Sequence, residues 1–182
     1  MHSYVALLRA VNVGSNQIKM DHLRAAFVRA GNEDVTTYIQ SGNVLFASSL
    51  IPTAARDHVR TVIRDEFDKD VIVVIRTAEQ IAGVCAGNPF LPSEQDASKL
   101  YVNYLSGEPT AAATATFMAA VAKTPDEVQI VGAHAYIRFA NGAGTSKLTT
   151  AVWKKLGVDS TARNWNVTNK LAELAAAARS LG

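Results

Sequence analysis

The order strand, helix, hairpin, helix is written twice along this chain, and that repetition leaves few folds open. A strand, a helix, two strands joined by a tight turn, a second helix and a last strand make a split βαβ unit, whose helices cover one face of a four-stranded sheet. In the first copy, residues 4–9 (YVALLR) form a short apolar run leading into a Gly/Asn-rich stretch, as a buried strand does. Asp21 can cap a helix whose Leu23, Ala26, Phe27 and Ala30 share a face, with Gly31 as its stop. Residues 35–40 and 44–48 read as strands joined around Ser41-Gly42-Asn43. Pro52 and Thr53 open a helix with Val59, Val62, Ile63 and Phe67 on its stripe, and residues 71–76 (VIVVIR) close the unit. That last strand is apolar on both faces, so something must cover Val71 to Ile75 on the side the helices leave open. The second half is the expected cover.

A connector, residues 78–98, holds a short helix over 78–85 and the Pro-punctuated Asn88-Pro-Phe-Leu-Pro. The order then restarts, with a strand at 100–105, an Ala-rich helix at 109–123, a hairpin about Gly132 and a helix over 146–156. In place of a final strand the chain runs into a helix from about residue 167. The expectation is therefore an α+β fold of two ferredoxin-like (split βαβ) halves packed together. Residues 1–77 form the first and 99–182 an incomplete second with a C-terminal helix. No residue-level repeat is evident between them.

Hydrophobic content of 48% and 19% charge suit an ordinary folded domain, and a net charge of +2 is too small for a dedicated duplex-DNA binder. The single cysteine, Cys85, excludes an internal disulfide and fits a reducing cytosol; its apolar-leaning neighbours read as a buried thiol rather than a nucleophile. There is no secretory-signal pattern and no apolar run of about 18 residues, so a cytoplasmic protein without a membrane partner is expected. His2, His22, His58 and His134 lack metal-ligand spacing, and neither a metal nor a cofactor is expected. The carboxylates Asp65, Glu66, Asp68 and Asp70 read as a solvated cluster at a helix end.

The unusual polar residues sit in loops. Arg9, Asn12, Asn16 and Lys19 offer donors in the stretch after the first strand, where Gly14 lets a backbone come close. The alternative there is a turn whose asparagines satisfy its own backbone. Gly144, Ser146 and Lys147 lie in a strand-to-helix turn that could present amides, a hydroxyl and an ammonium to an anion, aided by a helix dipole. It is neither a Walker A loop nor a dinucleotide fingerprint, and capping by Ser or Thr would account for it equally. Arg163 and Asn164 precede the last helix beside Trp165, which reads as a core plug, with Asn166 or Thr168 as cap. Tyr38, Gln40 and Asn43 flank the first hairpin turn, but only Phe46 of its outgoing strand matches the aromatic alternation of an RNA-recognition motif.

Residues 4–9 with Asn12-Val-Gly14, residues 37–43 (TYIQSGN), and residues 142–149 (GAGTSKLT) with Arg163-Asn-Trp-Asn166 together resemble the bacterial family known as domain of unknown function 1697. Asn88-Pro-Phe90 fits as well. The resemblance runs in order over essentially the whole chain and implies two ferredoxin-like subdomains; it supplies no activity. Ala10 and Ser15 stand where that family usually has glycine, and Val167-Thr168 replaces the usual Thr-Val.

Three functions compete. The first is binding of an anionic ligand (a nucleotide, a single-stranded nucleic acid or a phosphorylated metabolite) by converging loops, with Arg9, Asn12, Lys19, Lys147 and Arg163 around one concavity. The second is a small-molecule enzyme with Lys147 or Tyr38 as acid/base and Ser146 as nucleophile, for which no activating base is evident. A structural or oligomerisation module is the third, and it leaves the polar loops unexplained.

Overall fold

The computed structural model describes residues 1–14 and 17–179. By internal packing the chain divides into two units: residues 1–85 with the stretch from Lys170 onward, and Ala86–Asn169. In the first unit the elements are β1 (His2–Leu8), α1 (Met20–Arg29), β2 (Glu33–Tyr38), β3 (Asn43–Ser48), α2 (Pro52–Phe67), β4 (Val73–Thr77) and α3 (Ala78–Ala86). The strands pair antiparallel in the order β2-β3-β1-β4, the split βαβ topology expected from the sequence.

Strand alternation decides which side chains meet the helices. Tyr4, Ala6, Leu8, Phe46, Val73 and Ile75 join Leu23, Phe27, Val59 and Ile63 of α1 and α2 in one core. Each such Val, Leu, Ile or Phe contributes about 1.5–3 kcal/mol when fully buried. Phe27 meets Phe46 edge-on at 5.5 Å. Tyr4 donates a hydrogen bond to Leu50 O at 2.6 Å, so its hydroxyl enters the core satisfied. The alternate residues Val5, Leu7, Leu45 and Val74 are buried as well. Within the first unit, Leu174 and Ala177 share a hollow with Thr36 and Leu45 on that second face.

The second unit carries β5 (Leu100–Leu105), α4 (Ala111–Val121), β6 (Glu127–Val131), β7 (His134–Arg138), α5 (Thr150–Trp153), β8 (Ser160–Asn164) and the start of α6 (Trp165–Arg179). Its strand order, β6-β7-β5-β8, repeats that of the first. The expectation of an incomplete second copy is therefore corrected: β8 is the final strand. Ser160-Thr-Ala-Arg-Asn holds one apolar residue, so hydrophobic alternation cannot reveal it. It is set by its ladder to β5, from Leu105 opposite Ser160 to Tyr101 opposite Asn164. The helix expected over 146–156 is corrected too, because α5 is only four residues long and continues as a 3-10 turn at Lys154–Leu156. From Lys170, the helix expected to end the second subdomain belongs to the first unit.

The registers expose a residue-level repeat. Tyr4 and Val5 face Phe46 and Leu45 on one side and Thr77 and Arg76 on the other. Tyr101 and Val102 face Ile137 and Tyr136, then Asn164 and Arg163. YVALL of β1 thus occupies the place of YVNYL of β5, and Arg76 that of Arg163. The bonds beyond the ladders match as well: Leu8 N–H to Gly42 O parallels Leu105 N–H to Ala133 O, and Arg9 N–H to Ile72 O parallels Ser106 N–H to Asp159 O. Both arginines are buried and donate to the carbonyl just before them, Ile75 O and Ala162 O, at 2.8 Å. Each strand then turns straight into a capped helix. Thr77 and Gln80 cap α3 reciprocally, at 2.9 and 3.3 Å, and Asn164 Oδ1 accepts from Val167 N–H at 2.8 Å. Asn164 is therefore the cap expected at Asn166 or Thr168.

Candidate functional site

The two copies differ most in their connections. In the second unit β5 reaches α4 through residues 106–110 and β6 reaches β7 through residues 132–133. The first unit spends residues 9–19 and 39–42 on the same two links. Five and two residues suffice to close this fold, so its topology does not demand the longer links.

Those longer links meet. Asn12, at φ +59°, donates from Nδ2 to Ile18 O at 3.0 Å and to Gln40 O at 2.7 Å, while its Oδ1 accepts from Ile18 N–H at 2.7 Å. One side-chain amide closes the first link on itself and ties it to the second. Asn12, Gln17, Ile18, Lys19, His22, Gln40 and Phe67 then line a hollow of about 340 Å³. Lys19 is the N-cap residue of α1 and gives its first-turn amides no side-chain cap. Asp21, expected as the cap, lies in the first turn and pairs with Arg24 at 3.0 Å. Among the described lining residues none is a carboxylate. Lys19, His22 and Gln40 make no side-chain hydrogen bond or ion pair to any described residue. Among the described residues the hollow therefore has one ammonium, one imidazole, a free amide and an aromatic wall.

Of the residues expected from the sequence, Asn12, Lys19 and Gln40 line this hollow, and Asn12 does so as its brace. Arg9 and Tyr38 are partly buried and do not line it. Asn43 is wholly buried and donates to Tyr38 O and Ser41 Oγ, both at 3.0 Å, so it builds the turn. Gly14 is exposed at φ +59°. Asn16 lies outside the described residues. Gln17, Ile18, His22 and Phe67 were not singled out in sequence; Phe67 lies on the apolar stripe of α2 and His22 belongs to no spaced set. Ala10 sits at φ +55°, a left-handed conformation that glycine adopts without cost. Ala10→Gly is expected to stabilise the chain by roughly 1 kcal/mol, a rise of about 2–4 °C in Tm readable by thermal denaturation.

The sequence model of a family described as "Protein of unknown function (DUF1697)" matches residues 1–136, which include every residue that lines the hollow. The chain belongs to the DUF1697 family. It is also similar to a solved structure, "conserved bacterial protein SP0830 from Streptococcus pneumoniae", at 19% identity and a TM-score of 0.72, over 96% of this chain and 98% of that one. At that identity the likeness establishes the fold. No curated protein matches the sequence.

In this DUF1697 member the second unit has a long connection of its own, residues 139–149, after its third strand. It folds around the buried carboxylate of Asp126, which accepts from Ala140 N–H at 3.0 Å and from the Ser146 hydroxyl at 2.6 Å. Ser146 Oγ also accepts from Leu148 N–H at 3.0 Å, so the hydroxyl is committed as donor and acceptor. Gly144 and Lys147 are exposed. With α5 starting only at Thr150 and spanning four residues, no helix stands behind Lys147 to lend it a dipole. Arg163 is 7% exposed and donates to Thr161 Oγ1 at 2.8 Å; burial pulls its guanidinium down to about 10, still charged at neutral pH. Because the first and third strands of each unit run antiparallel, links 9–19 and 139–149 leave opposite ends of their own sheets. They are not two copies of one site. Among the described residues no group of three or more His, Cys, Asp or Glu is placed to hold a metal ion, and no helix is long and apolar enough to cross a membrane.

Proposed function

We propose that this protein binds a small anionic ligand in the hollow of its first unit. The observation that carries this reading is the contrast between the units: both connections that exceed their counterparts build the hollow, and Asn12 locks them together. Lys19 supplies a fixed charge, His22 a ring nitrogen, and the start of α1 adds its amides. The dipole contributes only about 0.3–1 kcal/mol at such an exposed end, so Lys19 carries most of the attraction and binding is salt-sensitive. A hollow of about 340 Å³ suits one small molecule better than a nucleic-acid strand. We place this binding in the cytoplasm, where the one thiol, Cys85, stays reduced.

The enzyme alternative draws less support. Ser146 is held by Asp126 and Leu148, and Tyr38 is not among the residues lining the hollow.

Calorimetric titration with a panel of phosphorylated metabolites and nucleotides tests the proposal. Lys19→Ala is expected to weaken the bound member roughly tenfold or more, about 1.4 kcal/mol, while Tm stays within about a degree. Unchanged affinity in that variant would place the anion elsewhere.

A further inference from the structure

We propose that the ligand of this hollow is a nucleoside monophosphate, with its phosphate at Lys19 and His22, its base edge on Gln40 and its base plane beside Phe67. This rests on the anion-binding reading above and narrows it.

Charge limits the number of phosphates. A phosphomonoester carries about −1.5 to −2 at neutral pH. Among the described residues the lining offers one ammonium and no carboxylate, which offsets most of the charge of one phosphate and leaves a triphosphate far undercompensated. The remaining free groups do not suit a bare sugar phosphate. Phe67, at the end of α2, packs on the core and also lines the hollow, and Ile18 extends that apolar wall. Such a wall gains from a flat aromatic partner and little from hydroxyls. Gln17 is spent on Gly14 O at 2.9 Å and Asn12 on the loop, which leaves the Gln40 amide free among the described residues. A side-chain amide is donor and acceptor at once, the pattern that pairs with the edge of a base. The same fold in the second unit, with its short links, carries none of these groups at the equivalent places, residues 106–110 and 132–133.

The test is calorimetry at low salt and pH 7 with AMP, GMP, CMP and UMP, their parent nucleosides, ribose 5-phosphate and ATP. At least one monophosphate is expected to bind about tenfold tighter than both its nucleoside and ribose 5-phosphate, with ATP no tighter than AMP. Gln40→Ala, an exposed position that leaves the core intact, should cut that preference several-fold without changing ribose 5-phosphate. Phe67→Leu should do the same, whereas Lys19→Ala should weaken every phosphate and no nucleoside. If ribose 5-phosphate binds as well as every monophosphate, base recognition is wrong and the anion site stands. Should no phosphate bind at all, both fall together.

Discussion

Gly42→Ala is expected to destabilise the protein by roughly 2–4 kcal/mol, lowering Tm by about 6–12 °C in thermal denaturation. Two independent costs meet at this position. Its φ of +73° is unfavourable for any residue with a Cβ, and that Cβ would lie 2.9 Å from Leu8 Cβ and 3.1 Å from Val11 Cβ. Neither atom can swing away, because both are attached directly to the backbone. Moving the turn instead strains the bond from Leu8 N–H to Gly42 O, which holds the end of β1. Gly14→Ala is the control: its φ is also positive, yet nothing lies within 4 Å of the added carbon, so only the conformational cost of about 1 kcal/mol applies. Equal losses at the two positions would show that the close approach is unimportant. In the second unit the equivalent place belongs to Ala133, outside the positive-φ residues, so the glycine is demanded by the longer link rather than by the fold.

Asp126→Ala is expected to cost about as much, roughly 2–4 kcal/mol, and to do so chiefly in one loop. The carboxylate is 6% exposed and accepts from Ala140 N–H and Ser146 Oγ. Removing it strands both donors in the link between β7 and α5. Asp126→Asn should lose less, since its oxygen can keep the bond from Ala140. Denaturant unfolding gives the magnitudes, and hydrogen exchange should show the loss of protection concentrated in residues 139–149. Protection lost evenly across β5 to β8 would contradict the local role given to Asp126.

The elements legible in the sequence were those that bury apolar side chains in a run or at a regular period. β1, β3 and β4 are short apolar runs buried on both faces, α1 and α2 carry stripes, and Pro52 and Gly42 mark a helix start and a turn as expected. β8 escaped because its buried residues are Ser160, Thr161 and Arg163, whose burial answers to a distant sheet partner and not to local hydrophobicity. The early start given to the helix over 146–156 has a similar origin, since residue 146 is held in a loop by Asp126, twenty positions upstream, and the helical turns begin only at Thr150. The repeat stayed hidden because insertions of different length separate its matching strands, so no single offset aligns YVALL with YVNYL and Arg76 with Arg163 together. At the site, composition marked Asn12, Lys19 and Gln40 as polar loop residues but could not say that Asn12 spends its amide on the loop. Phe67 could be read only as a core residue, since a helix stripe does not tell which of its members also borders a hollow.

The stretch from Lys170 onward groups with residues 1–85, while residues 86–169 form a unit of their own. A ribosome adding about 5–20 residues per second makes the first unit wait several seconds for its closing piece. In that interval the second unit is a continuous segment, whereas the first still exposes the side of Thr36 and Leu45 that shares a hollow with Leu174 and Ala177. The order of synthesis and the order of completion are thus reversed, and the half that carries Lys19, Gln40 and their hollow is the last to be finished.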